Sequence, residues 1–157
     1  MSSNFDIAQI CENGHVANSS TQDFPQFNQK YCKRCGSPTI TNCPECNAPI
    51  RGVYREVFST GYTAPGFCIE CGKPFPWTES KLKAAHTLVQ ELDSLDDDEK
   101  EMLEKSLDDL VRDTPSTPVA ATRFKKLVTR AGQGAASAFR EILVDIASES
   151  AKKMLWP

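Results

Sequence analysis

All seven cysteines of this 157-residue chain lie between Cys11 and Cys71, together with one of its two histidines. They fall into four short pairs: Cys11-Glu-Asn-Gly-His15, Cys32-Lys-Arg-Cys35, Cys43-Pro-Glu-Cys46 and Cys68-Ile-Glu-Cys71. Four two-ligand turns supply eight donor atoms, which fill two tetrahedral metal sites and leave none over. An odd number of cysteines cannot all pair as disulfides. The opening Met-Ser-Ser-Asn-Phe-Asp has no charged stretch followed by an apolar one, so no export signal is read there. Closely spaced cysteines in such a chain read as metal ligands in a reducing, cytoplasmic setting. No apolar run approaches the roughly 18–20 residues that span a bilayer.

Ligands separated by two residues require a tight turn that aims both sulfurs at one ion. The residue after the second cysteine then needs positive φ, which Gly supplies most easily and Asn tolerates. Here the followers are Gly36, Asn47 and Gly72. The Cys11–His15 pair is one residue longer, which suits the greater reach of histidine, and Gly14 relieves crowding beside it. Sequential pairing would join Cys11/His15 with Cys32/Cys35 and Cys43/Cys46 with Cys68/Cys71. It is favoured because each site then closes a short loop. A cross-brace and a nested arrangement remain open.

Lys30-Tyr-Cys-Lys-Arg-Cys-Gly36 and Phe67-Cys-Ile-Glu-Cys-Gly-Lys-Pro-Phe75 each place an aromatic before the first cysteine and a glycine after the second. Both look like the closing knuckle of a zinc ribbon, and Cys43-Pro-Glu-Cys46 looks like an opening one. The segment resembles bacterial double zinc-ribbon proteins. More narrowly, the chain is similar to an uncharacterised bacterial family with paired zinc ribbons followed by helices. That resemblance implies two structural Zn²⁺ ions and a binding role, and supplies no activity. A catalytic zinc keeps an open position beside about three protein ligands. Both spheres here are closed, so no enzyme is expected. Iron in the all-cysteine site is an alternative, because paired Cys-x-x-Cys turns also suit rubredoxin-type centres.

Between the knuckles, Phe24 and Phe27 are expected to cap a small core. Residues 48–67 read as the longer hairpin. Alternation there would put Arg51, Val53 and Arg55 on one face and Tyr54 and Phe58 on the other. Arg51 and Arg55, with Lys33 and Arg34, form a small cationic set that could meet a phosphate backbone, although a solvated strand edge explains it more simply.

After Trp77 the periodicity turns helical. The expected architecture is a small α+β fold. A double zinc-ribbon domain spans 1–77, and an all-α region of about four helices spans 78–157, with helices near 79–93, 96–112, 118–131 and 135–154. Thr78 is the expected first N-cap, with Trp77 and Leu82 as a hydrophobic staple. Asp93–Glu99 reads as an acidic helix start rather than a calcium loop. His86 reads as a partly exposed helix histidine rather than a ligand. Thr117, followed by Pro118, is the expected cap of the third helix.

Net charge is −3, but unevenly spread: residues 1–78 balance, residues 79–113 carry −7 and residues 114–157 carry +4. This weakens any reading of the whole chain as a cationic nucleic-acid binder. The expected role is a non-enzymatic protein–protein adaptor or accessory subunit with a protein partner, and self-association through the helices is open. The alternative is nucleic-acid binding through Arg51, Arg55 and the basic C-terminal helices. A membrane-surface role is not expected, because the apolar stripes of those helices are needed for packing.

Overall fold

A computed structural model describes residues 4–56 and 61–157. Phe58 lies outside the described residues. The chain divides into two compact units, Met1–Glu79 and Ser80–Pro157. The whole is a small α+β protein with short antiparallel strand pairs and a helical C-terminal region.

In the first unit, β1 (Phe5–Ile7) pairs antiparallel with β5 (Arg51–Tyr54). A second sheet has the order β3-β2-β4, from β2 (Gln9–Cys11), β3 (Val16–Asn18) and β4 (Thr39–Ile40). Strands this short make few ladder bonds, and the unit leans on other ties. The Asp6 carboxylate, 1% exposed, accepts the backbone N–H groups of Ile7, Gln22 and Asp23 at 2.6, 3.0 and 3.0 Å, with Arg55 3.8 Å away. Burial pushes this carboxyl up, but the three N–H donors and the guanidinium outweigh it, and the net shift is downward. At Gly52 a Cβ would stand 2.3 Å from the Ser19 carbonyl oxygen, so only glycine fits where β5 crosses that segment. The core gathers Ala8, Ile10, Ile50, Phe75 and Trp77 around Cys43 and Cys68, with Phe75 and Trp77 stacked at 4.7 Å.

Three expectations change here. Among the described residues, β5 takes its partner from the N-terminal β1 rather than from within residues 48–67. A register shift between Phe5 and Ile7 breaks the simple alternation. It lets both Arg51, 4.2 Å from the ring centroid, and Tyr54, at 5.0 Å, reach Phe5. Phe24 and Phe27 do not cap the core. They flank and end a single 3₁₀ turn, Pro25–Phe27, and are 51% and 61% exposed. Asn18 Nδ2 donates to the Phe24 carbonyl at 2.9 Å and to Asn28 Oδ1 at 2.7 Å, which folds the loop so that its rings face out, while Phe75 and Trp77 fill the interior.

Helix α1 (Pro76–Gln90) starts earlier than expected, with Pro76 at its first position. Thr78 is therefore inside the helix rather than capping it. It is fully buried and its hydroxyl donates to the Gly66 carbonyl at 2.9 Å. Trp77 belongs to the ribbon core, and its indole N–H donates to the Pro65 carbonyl at 2.8 Å. The staple reading fails because this first turn is packed into the first unit.

In the second unit, α2 (Asp97–Leu110) opens on a capping box in which Asp96 accepts the Glu99 N–H at 2.8 Å and Glu99 accepts the Asp96 N–H at 3.2 Å. Its buried face is Leu103, Leu107 and Leu110, backed by Val111. Helix α3 (Thr117–Ala131) buries Ala121, Phe124, Leu127 and Val128 and ends at Gly132, whose φ of 103° excludes most other residues. Thr117 is not its cap but its buried first residue, with a hydroxyl that donates to the Arg112 carbonyl at 2.6 Å and accepts the Thr114 N–H at 2.9 Å. The single helix expected over 135–154 is two: α4 (Gln133–Leu143) and α5 (Glu149–Leu155). Ser148 makes the break. Its side chain caps α5 through the Ala151 N–H at 3.2 Å, and its own N–H satisfies the Leu110 carbonyl at 2.9 Å. The turn lets Leu143, Ile146, Ala147 and Ala151 all be buried. Phe124 and Phe139 meet edge to face at 5.5 Å. Among the described residues, no helix is long and apolar enough to cross a membrane.

Candidate metal centres

Three of the four knuckles repeat one backbone design. In each, the N–H of the first cysteine donates to a carbonyl five residues on: Cys32 to Ser37 at 2.8 Å, Cys43 to Ala48 at 2.8 Å and Cys68 to Lys73 at 2.9 Å. The residue after the second cysteine donates back to the first cysteine's carbonyl at 2.8 Å in all three, from Gly36, Asn47 and Gly72. Those followers have φ of 75°, 62° and 74°, the left-handed conformation that their residue types admit. The turns are closed by isolated bridges Tyr31–Pro38, Asn42–Pro49 and Phe67–Pro74. The sequence therefore carries a threefold pattern, Cys-x-x-Cys-Gly/Asn-x-Pro, in which the proline is as regular as the cysteines.

The fourth knuckle joins β2 to β3. Cys11 N–H donates to the His15 carbonyl at 3.0 Å and Gly14 N–H to the Cys11 carbonyl at 2.9 Å. Gly14 has φ of 89°, and a Cβ there would lie 3.0 Å from Trp77 Cβ, so both conformation and space call for glycine. Pairing of β2 with β4, Cys11 opposite Thr39, carries this knuckle to the one at Cys32–Cys35.

The structure brings the eight side chains together as two groups, Cys11/His15/Cys32/Cys35 and Cys43/Cys46/Cys68/Cys71, with donor atoms all within 4.8 Å of one another in each. This is the sequential grouping. In the first, Cys11 Sγ is 3.7 Å from Cys35 Sγ, and His15 Nδ1 is 3.5 Å from both Cys11 Sγ and Cys32 Sγ. In the second, Cys43 Sγ–Cys71 Sγ is 3.8 Å and Cys46 Sγ–Cys68 Sγ is 3.7 Å. A tetrahedral ion with metal–sulfur bonds of about 2.3 Å and metal–nitrogen bonds of about 2.0–2.1 Å has S···S edges of about 3.8 Å and S···N edges of about 3.5 Å. The edges observed have that size. Two Cys/His clusters able to hold metal ions are thus preformed, and His15 would bind through Nδ1.

Backbone and side-chain N–H donors reach sulfurs in both clusters. Backbone N–H groups of His15, Arg34 and Glu70 point at Cys11, Cys32 and Cys68 sulfurs at 3.3, 3.4 and 3.4 Å. The Asn13 side-chain amide, 3.3 Å from Cys35 Sγ, and then the Ser37 N–H hold that thiol down to about 5. The Cys71 and Glu70 N–H groups bring Cys68 to about 7, whereas burial pushes Cys11 up. Asn13 also donates to Ser37 Oγ at 3.1 Å, bracing one knuckle against the other. Sequence reading gave Asn13 no role. Its place between Cys11 and His15 was the available signal.

The remaining candidates are not among the eight clustered donors. Arg55 is held by Asp23 at 3.1 Å and Gln22 at 2.7 Å as well as by Asp6, and Arg51 lies over Phe5. Lys33 and Arg34 are exposed on their knuckle. His86 Nε2 meets Asp108 Oδ1 at 2.9 Å on the helical unit, and Asp96 and Glu99 are used in capping α2.

The chain belongs to a bacterial family described as "Uncharacterized protein conserved in bacteria (DUF2321)", whose model matches residues 4–155. Its two cysteine-rich clusters are consistent with paired zinc ribbons. Comparison with the curated proteins and with the solved structures gives no match.

Proposed function

We propose that this family member is a non-enzymatic zinc protein of the cytoplasm, an adaptor or accessory subunit that binds another protein. The observation that carries the reading is closure. Each cluster offers four protein donors at tetrahedral spacing, and four donors leave a bound Zn²⁺ no position for substrate or an activated water. Zinc suits sets of three sulfurs and a nitrogen, or four sulfurs, and such sites hold folds together. The first unit has a small apolar core and would depend on its ions to stay folded. A rigid platform of that kind, joined to a helical unit, suits docking rather than turnover.

The nucleic-acid alternative loses support on the ribbon. Arg55 is engaged by two carboxylates and a glutamine, and Arg51 by an aromatic ring, so neither is free to take a phosphate without giving up an internal contact. The test is to recover the tagged chain from its own cells with and without nuclease and identify what accompanies it by mass spectrometry. A stoichiometric protein partner that persists after nuclease is the expected result. Partners lost on nuclease treatment, or binding to nucleic acid that falls steeply with salt, would overturn it. Elemental analysis of the purified chain should give two zinc ions, and iron in the all-cysteine cluster would correct the metal assigned here.

A further inference from the structure

The helical unit carries a groove that neither metal centre explains. It lies between α2 and α3, opens broadly to solvent and has a volume of about 820 Å³, with Met102 and Leu127 in its lining. Met102 is 45% exposed. The α3 side is lined with cations. Arg123, Lys126 and Arg130 recur at intervals of three and four residues, one helical face about 10 Å long. Val119, 51% exposed, extends the same row by one turn. Arg130 is fixed by an ion pair with Glu99, whose other oxygen accepts the Asp96 N–H, so the capping box of α2 also positions this arginine. Among the described residues, Arg123, Lys125 and Lys126 form no salt bridge. On its other side Arg123 borders a smaller hollow lined by Asp98, Glu101 and Lys105 of α2, the last two paired at 3.1 Å.

We propose that this groove binds an acidic amphipathic helix of a protein partner, its apolar row seated on Met102 and Leu127 and its carboxylate row on Arg123 and Lys126. The identification rests on the adaptor reading above and on charge complementarity. An apolar floor flanked on its α3 side by Arg123, Lys125 and Lys126 selects a ligand with apolar and anionic rows side by side. The flexible thioether of Met102 can fit different apolar side chains. Single-stranded nucleic acid is disfavoured because Phe124, the aromatic ring on α3, is buried and offers bases no stacking surface.

The test uses the full, metal-loaded chain and a fluorescein-labelled synthetic helix of about 18 residues, five turns, with leucines at i, i+3 and i+7 and glutamates beside them. Its twin has glutamine for glutamate. By fluorescence anisotropy the glutamate peptide should bind, more weakly as salt rises, and the twin about tenfold less tightly. Arg123→Glu with Lys126→Glu should remove binding and Met102→Ala should weaken it. Lys83→Glu, a charge reversal on α1, should leave it unchanged, with helicity and zinc content showing that all variants are folded. The proposal is overturned if the peptide does not bind, or if Lys83→Glu weakens binding as much as the groove variants do. It is also overturned if oligo-dT or vesicles of phosphatidylcholine with a quarter phosphatidylglycerol bind more tightly through the same residues, or if the double variant dissolves a dimer seen by sedimentation, which would make a second copy the occupant. A nuclease-resistant partner that still accompanies the double variant would refute the groove and leave the adaptor reading intact. Peptide binding without any protein partner in cells would do the reverse.

Discussion

In the ribbon unit the buried cluster is Ala8, Ile10, Ile50, Phe75 and Trp77 with Cys43 and Cys68, so two core residues are also candidate ligands. In the helical unit Leu103, Leu107, Leu110, Phe139 and Leu143 are fully buried, and none is a ligand. One unit joins its core to a candidate metal centre; the other makes its interior from side chains that do nothing but exclude water. The first should therefore respond to chelators and acid, and the second to cavities and overpacking.

The sharpest way to break this contrast is to remove the metal. Structural zinc sites contribute on the order of 10 kcal/mol each. A strong chelator should open residues 5–77 to proteolysis while helical circular dichroism is largely retained. Loss of the helical signal in step with the metal would end the distinction. The same contrast can be drawn within the ribbon. Cys32→Ser should release about one of two ions and Cys68→Ser the other, each read by elemental analysis. If either variant empties both clusters, the two centres are one cooperative unit. On the helical side, Leu107→Ala should cost about 2–5 kcal/mol in chemical denaturation and leave the metal content unchanged.

Smaller effects refine the picture. Asp6→Asn removes a buried charge that accepts three N–H groups and should destabilise the ribbon by about 2–3 kcal/mol. Because the Asp6 carboxyl is held below its ordinary 3.8, its contribution is full above that pH and is lost as pH falls through the lowered value. An acid titration in which Asp6→Asn and the parent chain lose stability in parallel would contradict this. Ser148→Ala should cost about 1 kcal/mol by uncapping α5, and a larger loss would show that the α4–α5 break matters more than a cap.

The knuckles were legible because their determinants are local. Ligand spacing, a follower tolerant of positive φ and a closing proline all lie within seven or eight residues of each other. The helices were legible from their apolar spacing, down to Leu103, Leu107 and Leu110. What escaped notice is non-local. Pairing of Phe5–Ile7 with Arg51–Tyr54 joins segments more than forty residues apart, and a strand of three residues shows no periodicity of its own. Trp77 follows a proline at a helix start, which reads as a staple until Gly14, Pro65 and Phe75 are found against it. Hydrophobicity alone turns Phe24 and Phe27 inward, but Asn18 and Asp6 decide which way that loop folds. The break at Ser148 was invisible because both flanking segments favour helix, and its cause is a carbonyl on another helix, that of Leu110.

The two clusters hold their sulfurs at different depths. Cys11, Cys32, Cys43 and Cys68 lie beneath the surface, while Cys35, Cys46 and Cys71 are open to solvent. An incoming competitor ligand meets an outer sulfur first and can displace the donors one at a time, without waiting for the fold to open. Exchange of a bound ion would then be a bimolecular process whose rate rises with competitor concentration. A centre built this way can be tight at equilibrium and still trade its ion quickly.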